Sequence, residues 1–525
     1  MTTTVTPPAA AVAPAQATDG RRVRAVLALA LFEARDVLRQ VVFLSFLVVY
    51  VATAVWQMYA GHPGWHELTG HEGMADYPAL QDADRATQSS ALLIGAALFL
   101  CANRAVLRSR RRGTDQHFDV LVMEPWRRTL AHALSVVPFA VFTGLFGAVR
   151  LGWAALRPGA VGHGSPAELL VAPLTVLLCG VAGVLLARLI PSSFAAPILA
   201  VVVYVAVLDF LVLADDAHWS RWLSPVVTET GGDPLPSDLV GRPAGWHALY
   251  LAGLTAVLLC AALLRGGGRS ARIKAATALA LAATATGIAG QSPGPSAGLR
   301  AARATVSTHP ESVESCAVRG ATTYCALPEW TGRTADWAKA TDRVRSLARG
   351  DAAARPLTVR QRVEARYGLD GDATYDPLTT PGAVTVGTRW GGNRVPEFSV
   401  GLASVLVAGT EKAGGKLCDG RVVTVMWLAL GAGADPLGDL RAVRLDDSTE
   451  GGAYVLTPTS GLMMSAGQTE VVKALLRRPR AEAAARVGDH WTELTTPGVS
   501  TARVAALLGV PAAGLGGEAG NSCQG

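Results

Sequence analysis

Charge is what this chain has least of. Asp, Glu, Lys and Arg make up 17% of its 525 residues, where a soluble domain carries about 25%. Lysine stands only at positions 274, 339, 412, 416 and 473, so the net charge of +6 is an arginine charge. A weak arginine excess suggests charge that flanks a membrane rather than a nucleic-acid face. Nucleotide hydrolysis lacks its residues as well. No Gly-x4-Gly-Lys-Ser/Thr loop occurs, and the glycine runs at 231–232, 266–268 and 391–392 do not join a strand to a helix. The C-terminal part has no His-Glu-x-x-His, no Gly-x-Ser-x-Gly and no cysteine beside a histidine base, so no catalytic site is read there. What remains is apolar: half the residues are hydrophobic and the mean hydropathy is +0.31. Such a chain must bury or embed itself, which excludes disorder over most of its length.

Residues 1–20 are Pro/Ala/Thr-rich and read as a disordered cytoplasmic tail without a signal peptide's apolar centre. In 21–40, Val23, Val26, Leu27, Ala30, Leu31, Ala34, Val37 and Leu38 keep helical spacing, with Arg24, Arg35, Asp36 and Arg39 off that stripe. An amphipathic helix on the membrane surface satisfies both faces; the alternative is the start of the first spanning helix. Seven stretches reach the roughly 20 apolar residues that a crossing needs: 41–60, 89–107, 130–155, 168–189, 194–213, 246–264 and 272–290. With the N-terminus inside, the cytoplasmic flanks hold 17 basic residues and the outer loops four, Arg85, Arg157, Arg221 and Arg242. That bias predicts a cytoplasmic N-terminus and an outside C-terminal part. The seventh stretch is Ala/Thr-rich and follows Arg269, Arg272 and Lys274, so either a retained anchor or a cleaved internal signal fits it.

Residues 291–309 read as a linker, and 310–525 as a mostly helical α+β extracytoplasmic domain. Helices are expected near 334–349, 357–367, 398–409, 421–432, 467–478 and 500–508, with a strand pair near 383–389 and 453–457. Cys101, Cys179 and Cys260 fall inside spanning helices. Cys316, Cys325, Cys418 and Cys523 lie in the part placed outside, where disulfides persist. Proximity favours Cys316–Cys325, leaving Cys418–Cys523; a Cys-x8-Cys spacing matches no usual zinc finger or ribbon.

Between the second and third crossings runs RSRRRGTDQHFDVLVMEPWRRTLAHALS, residues 108–135. Arg108, Arg110, Arg111 and Arg112 end one helix at an anionic surface, and Gly113 and Thr114 restart the chain. Phe118, Leu121 and Val122 give a short helix one apolar side, Pro125 ends it, and Arg127 and Arg128 mark re-entry. A short amphipathic helix held there suits docking to a cytoplasmic partner. This order of basic run, Gly-Thr, apolar run, Pro and Arg resembles the coupling region of ABC-type transporter permeases of the type 2 exporter family. The amphipathic helix at 21–40 matches the same family, and the resemblance spans about residues 21–265. It departs where an acidic residue often precedes Gly-Thr and where Gly-Lys often follows the Pro-x-Arg step; here stand Arg110 to Arg112 and Ala131-His132.

The resemblance implies a polytopic α-helical membrane protein with a six-helix permease domain at 41–265; the seventh anchor at 266–290 and the extracytoplasmic domain lie outside it. It further implies a multi-pass subunit of the cell membrane, paired with itself or another permease. A separate ATPase subunit would use ATP and Mg, with no cofactor or metal bound by this chain. The coupling loop would then comprise Arg111, Gly113, Thr114, Phe118, Pro125 and Arg127. Asp209, in VAVLDFLVL, is an intramembrane carboxylate and so a candidate polar site, although it lies near the outer interface. His62, His66 and His71 read as a solvated loop. The second function class is a polytopic anchor presenting a binding or sensory domain; the third is a membrane-embedded enzyme.

Overall fold

Apolar runs of bilayer length dictate most of the N-terminal half. The computed structural model describes residues 19–59, 78–113, 123–192, 194–203, 221–227, 233–368, 375–446 and 452–511. Helix α1 (Asp19–Leu38) is separated from α2 (Val41–Tyr59) by a break at Arg39 and Gln40, so the first crossing does not begin at residue 21. The stripe of α1 divides. Val26, Ala30, Ala34 and Val37 are buried against protein, whereas Val23, Leu27, Leu31 and Leu38 face outward, as a helix lying in an interface requires. There follow α3 (Ala91–Arg111), α4 (Pro125–Leu134), α5 (Val137–Ala155), α6 (Pro166–Leu189), α7 (Ala244–Arg265) and α8 (Ala271–Gln291). With short turns preceding α3, and α4 running into α5, six segments are long and apolar enough to cross a membrane. Seven were expected. Of the expected fifth, 194–213, only residues up to 203 are described, helical from 195.

The bundle is organised around α6, which packs on α3, α5 and α7. Hydrophobicity cannot select that arrangement, because lipid is as apolar as leucine; close backbone approach can. A β-carbon on Gly183 of α6 would lie 2.3 Å from the Phe99 carbonyl oxygen of α3. Beside this crossing, Asn103 of α3 donates its side-chain amide to the Gly183 carbonyl (3.2 Å). Helices α7 and α8 approach in the same way, Gly253 against Thr284 and Gly287 against Tyr250. The two ends of the bundle differ. At one end α1 packs on α4, and Gly266 and Gly268 of the α7–α8 turn abut Trp126. The other end gathers residues 78–90, 157–165, 221–227 and 233–243 beneath the C-terminal domain. The segments counted as basic flanks thus share one end.

The stretch expected as linker contains a helix, α9 (Ala297–Thr308), capped by the Ser296 hydroxyl accepting from the Leu299 amide (3.1 Å). Arg303 of α9 donates to the carbonyls of Leu239 and Val240 (2.9 and 2.8 Å). Those are last-turn acceptors of the helix Ser237–Val240, which stops at left-handed Gly241 (φ 63°).

Beyond it, strands β1 (Ser315–Arg319) and β2 (Thr322–Ala326) form an antiparallel hairpin; β3 (Leu357–Gln361) and β4 (Ala383–Val386) add in parallel, in the order β1-β2-β3-β4. A second sheet, β5 (Arg444–Asp446), β6 (Ala453–Val455) and β7 (Leu462–Met464), is antiparallel. Helices form at α10 (Thr334–Leu347), α11 (Arg394–Ala408), α12 (Arg421–Leu430), α13 (Ala466–Leu476) and α14 (Thr501–Leu508), where the sequence predicts them. Two expectations are corrected. The helix at 357–367 is strand β3, because Leu357, Val359 and Gln361 alternate inward with period two. The segments 383–389 and 453–457 are strands of different sheets and do not pair. Helix α12 is covered on every side, Val422 to Leu430 all being buried, and it lies at the centre of the domain core. Trp330, Trp337, Trp390 and Trp427 are part of that core rather than of a pocket.

Candidate functional site

At the basic end, the described residues on either side of the loop, 108–113 and 123–128, are tied to their surroundings. Arg108 reaches back from α3 to α1, pairing with Asp36 (2.6 Å) and Glu33 (3.3 Å). Burial raises the Glu33 carboxyl above its ordinary value, and the Arg108 guanidinium beside it opposes that shift. Arg111 and Gly113 are exposed, and Gly113 adopts a left-handed φ of 65°, a conformation that favours glycine at a helix end. Thr114 and Phe118 lie outside the described residues. Pro125 is the first residue of α4, where its missing N–H costs nothing. Arg127 pairs with Glu124 (3.1 Å) and covers the Trp126 ring at 5.0 Å. Asp209 and the histidines at 62, 66 and 71 lie outside the described residues.

The opposite end holds a buried polar cage that no motif announces. Arg85 pairs with Glu168 at the start of α6 (3.0 Å), with side chains 9% and 3% exposed. Gln88 donates to the same carboxylate, and the Arg85 guanidinium lies 5.4 Å over the Trp222 ring. Asp84 accepts from the Ser165 amide (2.7 Å), fixing the entry to α6. Gln81 donates to the Leu235 carbonyl (2.7 Å), and Arg242 pairs with Asp82 (3.4 Å). His247 of α7 hydrogen-bonds Gln291 of α8 (3.1 Å), whose amide donates to the Trp222 carbonyl (2.8 Å). Arg150, near the end of α5, donates to Gln57 of α2 (2.7 Å) and to Ser90 (3.3 Å). Arg85 was counted as an outer-loop charge. It stands beside Asp82, Asp84 and Gln88 at the head of an apolar run, with Glu168 just inside another, and neither position by itself marks burial.

The cage is continuous with the C-terminal domain. Asp233 pairs with Arg389 (3.2 Å) and accepts from the Tyr375 hydroxyl (3.0 Å), while Glu329 accepts from the Ser237 amide (3.1 Å). Val161, Leu235 and Val240, from loops between membrane helices, belong to the domain's own core. The domain is therefore seated on these loops by both apolar and polar contacts.

Cys316 and Cys325 form a disulfide, as proximity favours. Cys418 is disulfide-bonded, and Cys523 lies outside the described residues. Cys101, Cys179 and Cys260 are free within α3, α6 and α7. Glu314 lies next to the Cys316–Cys325 bond, but sulfurs spent on a disulfide are not thiolate ligands, so this group is a carboxyl beside a disulfide. No known protein family matches the chain, and neither the curated proteins nor the solved structures contain a match.

Proposed function

We propose that the chain is the membrane-spanning permease subunit of an ATP-driven exporter, with the loop at 108–128 as the contact for a separate ATPase. The observation that carries this reading is the pairing of Arg108 with both Asp36 and Glu33. It fastens an amphipathic helix to the root of a basic loop, so that force on the loop is delivered to α1 and α3 together. The ATP and Mg would be used by the partner. In this reading α1 lies at the cytoplasmic face, and the C-terminal domain caps the outer ends of the helices, in keeping with the arginine bias. Helices α2 and α8 are the least covered of the spans, each with 17% of its apolar window buried. Their open faces offer surface to lipid and to a second permease, this chain or another.

Purification from native membranes in mild detergent tests the proposal. A nucleotide-binding subunit is expected with the wild-type chain and not with a deletion of Gly113–Pro125. Absence of any ATPase from an intact complex would overturn it. That result would favour the second reading, a polytopic anchor presenting its C-terminal domain as a binding module, which draws on the domain's large core of its own.

A further inference from the structure

The disulfide at the edge of the first sheet has an unusual neighbour. All five residues of β1 are exposed, Cys316 among them, whereas Cys325 on β2 is 2% exposed. The two stand directly opposite each other in the antiparallel register. Glu314, one residue before β1, brings a carboxylate oxygen within 4.8 Å of both sulfurs. Its side chain is 1% exposed, and neither oxygen has a hydrogen-bond donor among the described residues. A buried carboxylate in that position costs free energy unless protonated. The charges around it are Arg360 of β3, with Nε at 3.3 Å, then Glu311 and Arg362, with His309 beyond Glu311. Burial dominates and pushes the Glu314 carboxyl up to about 7, Arg360 opposing and Glu311 assisting.

We propose that Cys316–Cys325 is a reactive disulfide, opened at Cys316 by an external dithiol, with Glu314 supplying the proton that Cys325 needs as leaving group. The sulfur of the exposed residue, Cys316, is the one attacked, since exchange depends on access of a thiolate. One thiolate of the dithiol forms a bond to Cys316 Sγ. The Cys316–Cys325 bond breaks, and its electron pair leaves on Cys325 Sγ, which takes the Glu314 proton. The second thiolate of the dithiol then attacks its own sulfur in the mixed disulfide, closing a cyclic disulfide and releasing Cys316, which is protonated from water. The dithiol loses two electrons and the protein disulfide gains them. Glu314 is left as a carboxylate beside the Arg360 guanidinium and recovers its proton from solvent. A buried leaving thiolate, far from water, is the group that gains most from a proton donor held against it. Glu314 is thus a positioned acid for the exchange, and the inference stands whether or not the bundle transports anything.

The test is the rate at which dithiothreitol reduces each disulfide of the full-length protein in detergent, from pH 6 to 8.5. Alkylation with mass-labelled reagent distinguishes Cys316 and Cys325 from Cys418, and each rate is divided by the concentration of dithiothreitol thiolate. For the wild type, the corrected rate at Cys316–Cys325 is expected to fall about tenfold through one ionisation near pH 7. The bond that holds Cys418 should show a flat corrected rate. In Glu314→Gln the profile at Cys316–Cys325 should flatten and the rate at pH 6 drop about tenfold. The substitution keeps side-chain volume and removes a buried charge, so the fold is retained above pH 7. A flat wild-type profile, a profile shared with the Cys418 bond, or one unchanged in Glu314→Gln would each overturn the proposal.

Discussion

The membrane bundle and the C-terminal domain solve opposite packing problems. In the C-terminal domain apolarity points inward: α12 is covered throughout, and Trp330, Trp337 and Phe398 are fully buried around it. In the bundle many of the largest apolar side chains point outward, among them Val48, Leu145, Val149 and Leu279. Inside, beside buried apolar side chains such as Phe43, Ile94, Leu98 and Phe139, lie small and polar groups: Gly183 against a carbonyl, Asn103 bonded across helices, and the cage around Arg85 and Glu168. One region is held chiefly by removing apolar surface from water, the other by close backbone contact and buried hydrogen bonds. The residues whose loss matters most should therefore be aromatic in one region, and glycine or charged in the other.

The strongest way to break this comparison is to remove half of the cage. Arg85→Ala leaves the Glu168 carboxylate buried without its guanidinium, a change that costs about 3–5 kcal/mol at comparable sites. Thermal unfolding in detergent should show a large loss, and Arg85→Met combined with Glu168→Met should recover most of it, because an apolar pair leaves no stranded charge. If the single variant melts with the wild type, the cage fastens nothing. Trp330→Ala is the counterpart in the C-terminal domain. It removes a fully buried indole whose Nε1 donates to the Thr388 carbonyl (2.9 Å), at a cost of about 3–5 kcal/mol. Near-ultraviolet circular dichroism should report loss of packing there, and equal damage to the bundle signal would mean the two regions unfold as one.

A middle-sized effect separates the two kinds of glycine. Gly183→Leu forces α6 away from α3, because the first atom added already meets backbone. Overpacking of this sort costs roughly 1–3 kcal/mol and more where neither wall can yield. Gly332→Ala in the C-terminal domain meets nothing within 4 Å and should leave the melting profile where it was. Equal melting of the two variants would remove close approach as the organising principle of the bundle.

The two regions were also unequally legible in the sequence. Bilayer thickness imposes a run length, so α2, α3, α5, α6, α7 and α8 could be read directly, and even the Ala/Thr-rich α8 is a full helix. Charge bias separated the ends because most of the flanking basic residues, 17 against four, fall at one of them. The cage was not legible. Arg85 and Glu168 are 83 residues apart, and nothing local marks a charge near a helix end as buried rather than solvated. The C-terminal helices were found by their 3.6-residue period, but β3 is five residues long, too short for its alternation to outweigh a flanking run rich in helix formers. Sheet membership of 383–386 and 453–455 depends on long-range pairing that no single strand encodes. The Cys316–Cys325 bond was read from closeness in sequence; Glu314 beside it was missed, because a carboxyl two residues from a cysteine is ordinary until burial is known.

The smallest effect sharpens the comparison most, since it holds chemistry constant and changes only surroundings. Asp336 and Lys339 on α10 form an ion pair at 3.0 Å, the same distance as Arg85 and Glu168. The Lys339 side chain is 75% exposed, so water and salt screen the pair and two side chains lose rotamer freedom to make it. Asp336→Ala should cost no more than about 0.5 kcal/mol, as exposed helix pairs do, and what loss there is should vanish in high salt. The loss from Arg85→Ala should persist in the same salt, because ions do not reach the cage. If both losses screen alike, the cage is wet, and the contrast between an apolar domain and a polar-fastened bundle fails with it.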